Sequence, residues 1–147
     1  MIAIHDEIVI NRAPGDVFEY VVNIPNFTAW QEATEEAVQT SEGPLGVGST
    51  FQIKMKILPI WSATISGRVT EYATPNKMAI ETGERSPFSA TGSYSFDPIE
   101  GGTRVTFDST LRMRGWLKLI EPLVGTSFRK QSAAELRKLK EVLEGQQ

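Results

Sequence analysis

The chain has 147 residues, 40% of them apolar, a net charge of −3, no cysteine and one histidine, His5. That length and composition suit a single domain spanning residues 1–147 with a sizeable core, not a disordered segment. The charge argues against a nucleic-acid surface, and the absence of thiols with only one imidazole excludes disulfides, thiol catalysis and Cys- or His-rich metal sites, so neither metal nor cofactor is expected.

The opening MIAIHDEIVI lacks the positive start and continuous apolar run of a signal peptide, and no stretch approaches the ~20 apolar residues of a membrane span. A cytoplasmic protein without an integral membrane segment is the expectation. Ile2, Ile4, Ile8 and Ile10 share one face of a period-two pattern interrupted by Asp6, which predicts a strand. Asn11-Arg12-Ala13-Pro14 ends it. Val17, Phe18, Val21 and Val22 then recur at helical spacing behind Pro14, and Pro25 opens a second short helix carrying Phe27 and Trp30. Residues 34–42 alternate weakly and read as an edge strand; 43–48 is a glycine-rich loop.

Phe51, Ile53, Met55 and Ile57 alternate with Gln52, Lys54 and Lys56, the strongest strand signal in the chain. Pro59 interrupts before Trp61, Ala63, Ile65, Gly67 and Val69 form the next apolar face. Thr74-Pro75-Asn76 is a turn, followed by a strand with Met78 and Ile80, and 83–87 is a polar connection. Residues 88–113 read as a hairpin. Phe88, Ala90, Gly92, Tyr94 and Phe96 alternate up to a stop at Asp97-Pro98, and Gly101-Gly102 turns the chain into Val105, Phe107, Ser109, Leu111 and Met113. Residues 115–144 then form a long amphipathic helix, with a kink or brief break expected near Pro122 and Gly125. Its apolar stripe holds Leu117, Ile120, Val124, Phe128, Leu139, Val142 and Leu143.

Several local strings fall into a shared order. They are Ala13-Pro14-x-x-Val17-Phe18, Asn23-x-Pro25-x-x-x-x-Trp30, Gly48-Ser49-Thr50-Phe51, Gly92-x-Tyr94-x-Phe96-x-Pro98, Gly101-Gly102-Thr103-Arg104-Val105-Thr106 and Leu136-x-x-Leu139-Lys140. Together they resemble the START-related helix-grip (SRPBCC) superfamily, and within it the polyketide cyclase/dehydrase and lipid-transport group. The resemblance covers nearly the whole chain. It implies an α+β helix-grip fold: a seven-stranded antiparallel sheet curved around a long C-terminal helix, two short helices after strand 1, and a hydrophobic pocket between sheet and helix. It implies activity much less well, because that superfamily includes lipid carriers, hormone receptors, allergens, cyclases and co-chaperone modules.

In such a fold the inward strand faces supply Phe51, Ile53, Met55, Trp61, Ile65, Phe88, Tyr94, Phe107, Ser109 and Leu111 as candidate cavity residues. The last helix adds Val124 and Phe128, and the second short helix adds Trp30. Alternating apolar residues are core by default. The case for a cavity is collective: Ala63, Gly67, Ala90 and Gly92 interleave with large residues and leave volume open. Gln131, Ser132 and Glu135 project near the helix stripe. They either place a polar spot in the pocket or mark where the helix leaves the sheet.

The glycines of 43–48 lack the Lys-Ser/Thr of a phosphate loop and open no helix; the resemblance implies instead a loop that borders the pocket. His5 and Asp6 face opposite sides of a strand and cannot pair with each other. No spacing singles out one of Glu32, Glu71, Glu81, Asp108 and Glu135.

The function expected is binding or transport of a small hydrophobic molecule, such as a lipid, isoprenoid or polyketide-like compound. The alternative is a cyclase or dehydratase using the same cavity, with Tyr94, Ser109 and Glu135 as proton-handling candidates. A third reading rests on Trp116 and Leu119, opposite the core stripe, where an exposed patch would suit a homodimer, another protein partner or a membrane edge.

Overall fold

The computed structural model describes residues 1–83, 86 and 88–145. Of the predicted connection 83–87, Glu84, Arg85 and Pro87 lie outside the described residues. The elements run β1 (Ile2–Ile10), α1 (Pro14–Val22), a 3₁₀ turn (Ile24–Asn26), α2 (Phe27–Trp30), β2 (Thr34–Gln39), β3 (Thr50–Leu58), β4 (Trp61–Ala73), β5 (Lys77–Thr82), β6 (Phe88–Ile99), β7 (Gly102–Met113), a 3₁₀ segment (Gly115–Ile120) and α3 (Glu121–Glu144). This is the helix-grip architecture: one seven-stranded antiparallel sheet in the order β1-β7-β6-β5-β4-β3-β2, gripping the C-terminal helix. No helix among the described residues is long and apolar enough to cross a membrane.

The order has one non-sequential step: β1 pairs with β7 along its whole length, from Ile2↔Leu111 to Ile10↔Thr103. That pairing sets β1 beside the strand that feeds the last helix, and α3 packs on β1. Gly125 permits the close approach, since a Cβ there would lie 3.1 Å from Ile2.

Two boundaries differ from the sequence reading. β6 runs through Asp97-Pro98 and pairs Pro98 with Thr103 and Ile99 with Gly102. β5 reaches only as far as Ser95, so the missing N–H of Pro98 faces no neighbouring strand and breaks no ladder. The turn is therefore Glu100-Gly101, with Gly101 at φ +83°. The last helix breaks earlier than Pro122, between Ile120 and Glu121. Pro122 stands in the first turn of α3, where its lost donor has no intrahelical partner to forfeit.

The apolar interior is split in two. The first core gathers α1, α2 and the end of α3: Phe18, Phe27, Trp30, Phe96, Leu136, Leu139 and Leu143 pack there, with Phe18 edge-on to Tyr72 and Phe96 at 5.4 Å. The second core lies under the start of α3 and contains Ile2, Ile57, Phe88, Met113, Leu117, Val124 and Phe128. Phe107 packs against both.

The interleaved small residues behave differently from one another. At Gly67 the space is occupied: a Cβ would sit 2.6 Å from the Phe51 ring and 2.8 Å from the Glu81 carbonyl. At Gly92 a Cβ would meet Phe107 at an ordinary 3.5 Å, with room beyond. Gly67→Ala is therefore predicted to cost about 1–3 kcal/mol by overpacking, and Gly92→Ala to stay within about 1 kcal/mol of wild type. Urea unfolding of the two variants checks this; equal losses would contradict the assignment of filled and open space.

Candidate functional site

Between the two cores the sheet and helix border a half-open cavity of about 170 Å³. That is below the roughly 300–1,000 Å³ of pockets for drug-sized ligands. In this form it would admit a slender chain or a small ring. Its wall takes Phe51, Ile53 and Tyr94 from the side of the first core, and Met55, Ile65, Phe88, Leu111 and Phe128 from the second. Phe107 and Ser109 of β7 complete the middle of the wall, opposite Tyr94 and Gly92 of β6 in register, and Ala90 stands opposite Leu111. Phe107 stacks on Tyr94 at 4.7 Å, and Phe88 stands edge-on to Phe128 at 6.2 Å.

Three of the residues expected at the cavity lie elsewhere. Trp30 is buried behind the wall, edge-on to Tyr94 at 5.9 Å and Phe27 at 6.1 Å, because α2 turns Phe27 and not Trp30 toward the space. Trp61 is carried past the cavity by a register shift between Lys56 and Leu58, and its ring meets Trp116 at 6.2 Å. Val124 is buried one helical turn before Phe128, inside the second core. The 43–48 loop, read as a rim, also contributes nothing to the wall; its Leu45 packs on the first core instead.

Other wall residues were not singled out from sequence. Ile4 and Ile80 sit on the period-two faces already recognised. Phe27, Gln31 and Thr34 come from the α2–β2 corner, where no periodicity points inward.

The polar turn of α3 faces the cavity: Gln131, Ser132 and Glu135 all line it. Buried positions along the helix run Val124, Phe128, Ser132, Leu136, Leu139 and Leu143, so Ser132 occupies a core position of the stripe. Its hydroxyl is buried and has no hydrogen-bond partner. The Tyr94 hydroxyl also has no partner among the described residues. Gln131 Nε2 donates to Glu135 Oε1 at 3.2 Å, and Thr34 Oγ1 donates to Gln31 Oε1 at 2.9 Å. Ser109 is already engaged: its hydroxyl donates to the Thr91 carbonyl at 2.8 Å.

Burial pushes the Glu135 carboxyl up to about 7; the Gln131 amide opposes this and the charge of Glu32 adds to it. Burial, reinforced by Glu135, pushes the Tyr94 phenol well above its usual range. Near neutral pH, Glu135 therefore passes between a carboxylic acid that donates and a carboxylate that accepts. With the spare hydroxyls of Ser132 and Tyr94 it can hydrogen-bond a carbonyl or hydroxyl, and it can move a proton. His5 takes no part. It lies on the outer face of β1, paired with Asp108 across the ladder, whose hydrogen bond and charge raise its pKa.

The family model described as polyketide cyclase / dehydrase and lipid transport matches residues 1–144. No curated protein sequence matches the chain. Among solved structures, TTHA0849 from Thermus thermophilus is similar with a TM-score of 0.83 at 17% identity, covering 99% of both chains. The Zhui aromatase/cyclase from Streptomyces sp. R1128 is similar at 0.79 and 13%, covering 97% of this chain and 93% of that one. The di-domain ARO/CYC BexL from the BE-7585A biosynthetic pathway is similar at 0.76 and 14%, covering 95% of this chain and 48% of that one. At these identities the likeness is one of fold.

Glu135 has a pKa in the folded protein above its unfolded value of 4.5. Its neutral form therefore supports folding below that value, and the contribution is lost as pH rises through about 7. Glu135→Gln keeps a neutral amide at every pH. The stability of the variant relative to wild type is predicted to improve by roughly 1–3 kcal/mol between pH 5 and pH 8 in urea unfolding. A difference that does not change with pH would mean that Glu135 is fully solvated.

Proposed function

The chain belongs to the polyketide cyclase / dehydrase and lipid transport family, and on that premise we propose that its sheet–helix cavity binds a small, largely apolar molecule. The observation that carries the proposal is the arrangement of the wall: mostly apolar side chains, with the unpartnered hydroxyls of Ser132 and Tyr94 and the carboxyl of Glu135 all lining it. A buried donor left without a partner costs about 1–3 kcal/mol, and a ligand oxygen at that spot would recover it. Burial of the ligand's apolar remainder supplies the rest, at roughly 25 cal/mol per Å² before entropic costs. The ligand chemistry that fits is a hydrocarbon-like chain or ring bearing a carbonyl or hydroxyl; lipids, isoprenoids and polyketide-like compounds all meet that description.

A second reading, a cyclase or dehydratase acting in the same cavity, is favoured by one observation. Glu135 titrates near neutrality on a wall it shares with Tyr94. Holding a reactive chain in one shape beside a group that can take and return a proton is a workable route to ring closure or loss of water. Ser109 is dropped from that set, since its proton is committed to the Thr91 carbonyl.

Native mass spectrometry of freshly purified protein is expected to show a dissociable small molecule. Calorimetric titration with 1-octanol, a slender uncharged chain with one hydroxyl, is expected to saturate in wild type and to weaken about tenfold or more in Ala90→Phe, which fills the cavity. A bare mass together with no saturable octanol binding would sink the proposal. The enzymatic reading predicts further that Glu135→Gln abolishes turnover of a polyketide-like substrate while octanol binding persists.

A further inference from the structure

The exposed surface carries one concentration of large apolar side chains that the cavity does not use. Ile60 is 98% exposed, Leu119 85%, Leu123 75% and Trp116 61%. They come from two distant parts of the chain. Ile60 forms the tip of the β3–β4 turn, and its neighbour Trp61 meets Trp116. Trp116 and Leu119 are one 3₁₀ turn apart and share a side of their segment, and Leu123 follows in the first turn of α3. Leu117 and Val124 are buried in the second core.

Charge around this end is mostly basic. Lys54, Lys56, Arg112, Arg114 and Lys118 stand on the strand ends and the 3₁₀ segment that carry the patch, against Glu35 and Glu121. Glu35 pairs with Lys54 and accepts from the Ser62 hydroxyl, whereas Lys56 and Lys118 form no ion pair among the described residues. Glu121, at the border, has its pKa drawn down by the chain's amino group and also by Arg112, so its charge is compensated.

We propose that the end of the molecule built from the β3–β4 turn and residues 115–123 docks on an anionic lipid bilayer surface, inserting Ile60, Trp116, Leu119 and Leu123. Indole rings settle at headgroup depth, aliphatic tips reach the acyl boundary, and lysines and arginines beside them meet anionic headgroups. A second copy of the chain fits this surface less well, because a stable protein interface takes roughly 20–30 residues and about 800 Å² a side. Trp61 and Leu117 also belong to the cluster that contains Phe88 and Phe128 of the cavity wall. Docking would set the apolar half of the cavity against the membrane. The proposal stands independently of what the cavity binds.

The test is flotation with phosphatidylcholine vesicles and with phosphatidylcholine–phosphatidylserine vesicles at a ratio of about 3:1. Wild type is expected to bind the mixed vesicles with a blue shift of tryptophan emission, and to bind about tenfold or more weakly to phosphatidylcholine alone or in about 0.5 M salt. The double variant Leu119→Asp, Leu123→Asp should lose binding by a similar factor while keeping its circular dichroism and Tm, because both side chains are exposed. Lys118→Glu should weaken binding to the mixed vesicles alone. No binding to mixed vesicles at low salt, or undiminished binding by the double variant, overturns the proposal. So does a dimer seen by light scattering that the double variant dissolves while vesicles stay unbound; that result gives the surface to a second copy.

Discussion

A single helix laid across a sheet of seven strands must fill a space wider than one row of side chains can reach, and α3 fills it only at its two ends. Val124 and Phe128 close one end, Leu136, Leu139 and Leu143 close the other, and the core position between them is Ser132. A leucine there would join the two cores. A serine leaves them apart, and the separation is the cavity. The β1–β7 pairing positions this arrangement, because it sets the first strand beside the strand that feeds the last helix, and α3 packs on β1.

The gap is expensive to maintain. A buried hydroxyl without a partner and a carboxyl moved from 4.5 to about 7 each work against folding at neutral pH. Both costs fall on one turn of α3, at Ser132 and Glu135. Elsewhere the same sheet closes its gaps: Gly67 is filled by the Phe51 ring, and Trp30 backs Tyr94. The open space runs from the α2–β2 corner past Gly92 and Phe107 to Phe88 and Phe128, with Ser132 and Glu135 of α3 on its wall.

Strand faces were legible from sequence because their period of two survives in the fold, and that was enough to place most of the wall. Trp61 was not, since a register shift at the β3–β4 turn moves it off its face without altering the alternation. Trp30 failed for a different reason: in a helix of four residues one position decides which aromatic lines the space, and Phe27 takes it. Gln31 and Thr34 leave a corner where chain direction, not periodicity, aims the side chains. The polar turn was visible as a flaw in the stripe. Whether it met solvent or interior depended on the exact phase of the helix after Pro122, which is set by packing, including that of Gly125 on Ile2.

The fold alone assigns no chemistry, and solved structures that share it at 11–17% identity include an aromatase/cyclase and Ara h 8.0201. What separates a carrier from a catalyst on such a frame is whether a buried group exchanges a proton with the ligand. Glu135 is the side chain on which that distinction turns here. In the function proposed, it would hold a ligand oxygen in place as a neutral acid; as a base it would draw a proton from a carbon beside a carbonyl. A pKa close to the ambient pH leaves both forms populated, so on the proposed reading the ligand's own acidity would decide which role the carboxyl plays.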